Sequence, residues 1–332
     1  MVLDLPFIWA GIIAFAVLAY VMLDGFDLGI GILFPFVEQK DHRDSMMNSV
    51  APVWDGNETW LVLGGGGLLA AFPLAYAIVM PALYVPVTVM VLALIFRGVA
   101  FEFRWKTEPG RRLWDRAFAG GSIVAALAQG VALGALVQGI PVLGRAYAGG
   151  WWDWLTPFSL ITGIALVCGY ALLGATWLIL KTEGAVQDKA YRFAHITGFA
   201  MIFFIAVVSL WTPFLNPQYM ARWFQFPQIV YTAPVPLLVA GCFYALIRGL
   251  RERRELSPFL AAQGFFILSY AGLGISFYPS IVPPSVSIWE AAAPPDSQWF
   301  LLIGTIVLVP LIIAYTAYAY WVFRGKTGSF YR

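Results

Sequence analysis

The sequence is poor in charge. Only 11% of its 332 residues are Asp, Glu, Lys or Arg, against about a quarter in soluble domains. It has two cysteines, Cys168 and Cys242, both inside apolar runs, so neither a disulfide framework nor a thiolate metal site is expected. It has two histidines, His42 and His195, and neither sits deep in an apolar run with a matching ligand. An integral haem protein needs axial His, Met or Cys within its helices. Zinc spacing, a nucleophile elbow and a dinucleotide-binding glycine fingerprint are all missing. No polar stretch is long enough for a soluble domain, and nothing points to a nucleic-acid partner.

What is present is apolar length. Hydrophobic residues make up 61% of the chain, and several runs exceed the ~18–20 residues that cross a bilayer as a helix. The fold class is an all-α polytopic membrane protein. Nine spans are expected, over 6–36, 51–72, 74–103, 115–140, 156–181, 192–213, 229–249, 258–279 and 298–323, in one membrane domain covering 1–332. The first run is too long for the apolar region of a cleavable signal, so it is expected to serve as both targeting signal and first span.

Orientation follows the positive charges. Seventeen of the 20 Lys and Arg residues fall in the connections after helices 1, 3, 5 and 7 and in the tail from Arg324 to Arg332. Only Arg145 and Arg222 fall on the opposite side, and Arg97 lies within a span. The N-terminus is therefore expected outside and the C-terminus in the cytoplasm. Trp151, Trp152, Trp154 and Trp223 fit an outer interfacial belt. Gly64 to Gly67 suit close approach of a neighbouring helix. They do not suit a phosphate loop, because the Lys-Ser/Thr such a loop requires is missing. Pro81, Pro86, Pro213, Pro234, Pro236 and Pro310 read as kinks or helix ends. A short echo links Ala19–Asp24 of helix 1 to Gly169–Gly174 of helix 5, which suits two four-helix bundles plus one extra helix.

The acids inside these spans carry the functional signal, because an intramembrane charge is costly and is seldom kept without a use. Asp24 lies ~27 Å along helix 1 at ~1.5 Å per residue, in the cytoplasmic third of the membrane. Asp27 follows at i+3. Asp55 and Glu58, again i and i+3, open helix 2, and Arg97 and Glu102 lie near the inner end of helix 3. Six ionisable residues, five acids and one arginine, are thus expected to converge at one depth. Some of the acids should be protonated, reached by water, or paired on another chain. Two readings stand side by side: a proton relay, or structural pairing through the helix dipole and Arg97. For Glu102 the structural reading is preferred. Trp54 is either an indole donor beside the relay or an interfacial anchor. By its own residues the chain is a proton-handling or scaffolding partner, not the seat of redox chemistry. A proton-coupled transporter, suggested by the prolines and acids, and a purely structural partner are the alternatives.

Four stretches resemble subunit II of the cytochrome bd-type quinol oxidases. They are Leu23-Asp24-Gly25-Phe26-Asp27-Leu28-Gly29-Ile30-Gly31, Ala51-Pro52-Val53-Trp54-Asp55-Gly56-Asn57, Phe96 to Arg104, and Leu173 to Gly184. The resemblance extends over the whole chain and looks closer to the cyanide-insensitive branch. It implies two four-helix bundles and a peripheral helix in a multi-pass protein of the bacterial inner membrane. It implies a complex that oxidises quinol and reduces oxygen to water. Chemical protons would enter from the cytoplasm and quinol protons leave outside. Haem b and haem d would be ligated by the partner, subunit I, and none by this chain. It also implies that Trp54 and Asp55 belong to a proton path, with Asp24, Asp27 and Glu102 at the family's acidic positions. Some members carry aspartate where this chain has Glu102. Some members hold a structural quinone in this subunit, and a small single-helix third subunit is a further possible partner.

Overall fold

The computed structural model describes residues 3–327, so Arg332, counted above in the basic tail, lies outside the described residues. The chain is helical nearly throughout. The helices are α1 (Leu5–Leu33), α2 (Lys40–Asn48), α3 (Trp54–Ala71), α4 (Pro73–Ala82), α5 (Tyr84–Lys106), α6 (Arg111–Gln138), α7 (Pro157–Lys181), α8 (Gly184–Trp211), α9 (Pro217–Phe224), α10 (Gln228–Thr232), α11 (Pro234–Arg251), α12 (Leu256–Phe277), α13 (Ile288–Ala291) and α14 (Pro295–Val322). Two small antiparallel hairpins, β1 (Val142–Leu143) with β2 (Ala146–Tyr147) and β3 (Ser280–Val282) with β4 (Val286–Ser287), close two connections at one end. The opposite end carries the arginine- and lysine-rich connections and is called the basic end below.

Local chemistry sets the helix limits. Asp4 accepts from the Phe7 amide at 3.1 Å, with Pro6 in the first turn. Thr156 and Ser159 form a reciprocal capping box, with Pro157 opening α7. Gly139 stops α6 at φ +96°, a backbone that L side chains rarely adopt.

Eight of the long helices are apolar enough to cross a membrane, where nine were expected. The difference is α3, whose first turn and a half carries the polar residues Asp55, Asn57 and Glu58 and whose middle is the four-glycine run. The expected third span, 74–103, is two helices. The chain breaks at Leu83 (φ −110°, ψ 19°), between Pro81 and Pro86. Pro86 has no N–H to continue the helical bond pattern across the break. The expected span 229–249 divides likewise at Ala233–Pro234. Helices α2 and α9 and both hairpins were not foreseen.

α1 and α7 occupy the centre. α1 packs on α3, α6 and α7; α5 packs on α6; α7 packs also on α6, α8 and α12; α11 packs on α12. The α1–α7 crossing is so close that a Cβ on Gly29 would meet the Tyr170 carbonyl, and one on Gly174 would meet the Gly29 backbone. Gly174 closes one of the two segments that echo each other in sequence, and Gly29 lies five residues beyond the other. Within the glycine run, Gly64 and Gly67 face Val17 and Ile13 of α1, while Gly65 and Gly66 meet nothing. α14 lies outside, against α3 and α1, and is almost wholly exposed. Its last turns are fastened at the basic end. The Lys181 ammonium donates to the carbonyls of Phe323 (2.5 Å) and Gly325 (3.1 Å), and Lys326 pairs with Glu255 at 2.7 Å.

Candidate functional site

Arg97 is completely buried on α5, nine residues before its basic-end terminus, and Asp24 stands nine residues before the same end of α1. At ~1.5 Å per residue both lie ~14 Å inside. The guanidinium meets three carboxylates from two other helices: Asp24 at 3.0 Å, Asp27 at 3.9 Å and Glu58 at 2.5 Å. Asp24 and Asp27 are sealed from solvent, whereas the Glu58 side chain keeps 25% of its exposure. Arg97 donates its aligned hydrogen bond to Glu58, and Asp27 Oδ1 receives none among the described residues. Three carboxylates against one guanidinium leave a formal −2 when all are ionised. That charge is expensive at such depth, so protons or water must balance it.

Polar groups that the sequence did not single out extend the cluster in two directions. Asn57 Nδ2 donates to Asp27 (2.7 Å) and to the Leu23 carbonyl (3.3 Å), and its Oδ1 accepts from Tyr320 of α14 (2.9 Å). Toward the middle of the membrane, Gln129 Nε2 donates to the Tyr20 hydroxyl (2.6 Å), and Tyr170 donates to Gln129 Oε1 (2.8 Å). Asn57 sits inside the quoted Trp-Asp-Gly-Asn stretch, which was a usable signal. Gln129 and the tyrosines are single polar residues in apolar runs and carried none.

Trp54 stacks flat on Phe101, with centroids 4.6 Å apart and planes 3° from parallel. The Arg97 guanidinium lies 5.9 Å from the Trp54 ring centre and 5.7 Å from that of Phe101, within cation–π range. Phe101 then meets Phe118 edge-on, and Phe118 meets Phe34. Beyond this aromatic column stands a second fully buried arginine, Arg104, which pairs with Asp44 (2.7 Å) and Asp115 (2.6 Å). Asp115 also receives Arg43 at 2.9 Å.

Two of the six expected residues stand apart. Asp55 is exposed and makes no ion pair among the described residues. Glu102 is exposed and pairs with Lys106 at 3.3 Å, one turn on. The cause is helical phase, at about 100° per residue. Asp55 lies ~200° around the axis from buried Asn57, and Glu102 ~140° from Arg97. Depth along the helix was read well, and direction around it was not. Convergence therefore holds for Asp24, Asp27, Glu58 and Arg97 and fails for Asp55 and Glu102. Asp55 still acts electrostatically on Glu58 from the turn before it.

The family profile for cytochrome bd terminal oxidase subunit II matches residues 5–323. The chain belongs to that family. It is 30% identical to the Escherichia coli K12 protein named cytochrome bd-I ubiquinol oxidase subunit 2, over 97% of this chain and 95% of that one. It is 26% identical to the Bacillus subtilis cytochrome bd ubiquinol oxidase subunit 2, over 96% of each. The solved bd oxidase of Geobacillus thermodenitrificans contains a chain of the same fold, with TM-score 0.78 at 17% identity, covering 97% of this chain and 99% of that one. As a subunit II with eight long apolar helices, the chain is a multi-pass protein of the bacterial inner membrane and part of an oxidoreductase complex. Membership in this family sets the transporter reading aside. As to haem, His42 lies on short α2 and His195 lines a surface groove.

Proposed function

We propose that this chain, a single membrane domain, is the haem-free subunit of a bd-type quinol oxidase that gives protons access to the oxygen-reducing partner and holds that partner in place. Haem b and haem d sit in subunit I, which oxidises quinol and reduces oxygen to water. The basic end faces the cytoplasm, in line with its share of Lys and Arg. The observation that carries the reading is Glu58. It is the one member of the Arg97 cluster that keeps solvent exposure, and it stands between exposed Asp55 and sealed Asp24 and Asp27. Asp55 and Glu102, both at the surface, collect protons; Glu58 passes them inward; Arg97 keeps the acids together. Trp54 fixes the guanidinium from one side through its stack with Phe101. Protons drawn from the cytoplasm and consumed at the oxygen site separate charge worth ~2.3 kcal/mol per 100 mV for each full crossing.

The test begins with complex purified through a tag on this chain. A reduced-minus-oxidised spectrum with haem b and haem d bands and a co-purifying larger subunit is the expected result. In that complex, Asp55→Asn should slow oxygen reduction while haem content stays intact. Full turnover in Asp55→Asn would end the relay role. Lost assembly in place of slowed turnover would favour the second reading, in which the surface acids pair with cations of subunit I. Quinone extraction and mass spectrometry of the same material test for a structural quinone and a small third subunit.

A further inference from the structure

Away from the acid cluster, at the basic end between α8 and the close of α11, lies an open groove of about 590 Å³. Asp188, Tyr191, Arg192, His195, Arg251 and Arg253 line it. Three arginines face one carboxylate. Arg253 takes that carboxylate, pairing with Asp188 at 2.5 Å, and its guanidinium lies 4.9 Å from the Tyr191 ring centre. Its backbone is held at φ +52°, a left-handed conformation that a long side chain adopts at some cost. Arg192 and Arg251 are exposed and make no ion pair or hydrogen bond among the described residues. The groove thus presents two uncompensated cations, with the His195 imidazole beside them.

The walls below the groove decide what fits. On α8, Asp188, Arg192 and His195 form one stripe at spacings of four and three residues. The same stripe continues as Phe199 and Phe203, which are 56% and 61% exposed, with Ile196 alongside at 69%. Across from it on α11, Phe243 meets Phe199 edge-on, with ring centroids 5.4 Å apart. A cationic recess therefore opens directly onto an apolar surface that runs along the membrane-crossing part of α8. A free anion would use the recess and leave the apolar stripe bare. A molecule with a phosphodiester head and acyl chains covers both.

We propose that this groove is a specific binding site for an anionic phospholipid of the leaflet at the basic end. Arg192 and Arg251 hold the phosphodiester, and Phe199 and Phe203 seat an acyl chain. Arg253 is a positioning residue, fixed by Asp188 and Tyr191 to form the floor of the recess.

The test uses the assembled complex, delipidated in detergent, with phosphatidylglycerol as the probe and native mass spectrometry or fluorescence-detected titration as the readout. The double variant Arg192→Gln/Arg251→Gln should bind phosphatidylglycerol roughly thirtyfold more weakly, as expected from two lost arginine–headgroup contacts. Its haem spectrum should be unchanged, since both residues are exposed. Phosphatidylcholine should not compete, and inorganic phosphate should not displace the lipid. Phe199→Ala/Phe203→Ala, which leaves the cations in place, should also weaken binding of the lipid. Equal affinity in wild type and the arginine variant would overturn the proposal. So would displacement by inorganic phosphate alone, which would make the groove a simple anion site.

Discussion

Arg97 and Arg104 lie seven residues apart on one face of α5, both completely buried, each gripping its own carboxylates. Arg97 serves Asp24, Asp27 and Glu58, and Arg104 serves Asp44 and Asp115. The stack of Trp54, Phe101, Phe118 and Phe34 separates the two clusters. A single helix thus sets the position of nearly every buried charge in this half of the molecule, and its two arginines are the counterions to test first.

Arg97→Met should prevent recovery of assembled, haem-bearing complex. Removing one partner from a buried charge cluster costs ~3–5 kcal/mol, and here it leaves three carboxylates without a cation. Glu58→Gln should assemble, at a loss near 1 kcal/mol, because Asp24 and Asp27 still face the guanidinium. Haem absorbance per tagged chain compares the two, and an Arg97→Met complex recovered at wild-type yield would show that the acids do not depend on this arginine.

Gly174→Ala should be far more damaging than Gly65→Ala. A Cβ at 174 meets the backbone of α1 itself, which cannot give way without reopening the central crossing, whereas one at 65 meets open space. Overpacking of this kind costs ~1–3 kcal/mol or more. Thermal midpoints of the two variants in detergent give the comparison, and equal midpoints would contradict the tight crossing.

Tyr320→Phe removes the hydroxyl by which α14 reaches the acid cluster, leaving Asn57 Oδ1 without this partner. The expected loss is ~1 kcal/mol. Hydrogen exchange of the last turns of α14 should rise, while exchange near Gln298 should not.

The tail fastening should be pH-dependent. The Lys326 ammonium beside Glu255, with Gln187 also donating to it, holds its carboxyl below the usual carboxylate value. A depressed folded-state pKa contributes stability above the ordinary value and loses it as pH falls through the lowered one. The tail should therefore stay docked at neutral pH and loosen only well into the acid range. Glu255→Gln should remove that dependence. The pair is largely exposed, so its worth does not exceed ~1 kcal/mol. A spin label at position 327 reads the mobility directly.

Much of this architecture was legible because membrane helices announce themselves by length and composition. Positions along a helix were equally readable: Asp24, Glu58 and Arg97 were placed at one depth by counting residues. Rotation about the helix axis was harder to read, because helices that are apolar all round give no amphipathic stripe to set the phase. Asp55 and Glu102 were lost in this way. Arg104 was missed for a different reason. It was counted among the basic residues of a connection, although its seven-residue spacing from Arg97 and the nearby Asp115 marked it as a second buried cation. The short α2 and α9 and the two hairpins lie in polar connections, where a search for apolar runs finds nothing.

α14 is held at its two ends and scarcely between them. Near its start, Gln298 is buried, donates to the Ala293 carbonyl and accepts from Trp9. At its finish, Tyr320 and the lysine clamp secure it. No residue from Ile303 to Ala319 is buried, and Pro310 interrupts the hydrogen-bond ladder midway. A rod fastened in this manner can bow outward without slipping at either anchorage. Lateral pressure in the bilayer should therefore flex the middle of α14 first and reach the acids around Arg97 most directly through Tyr320.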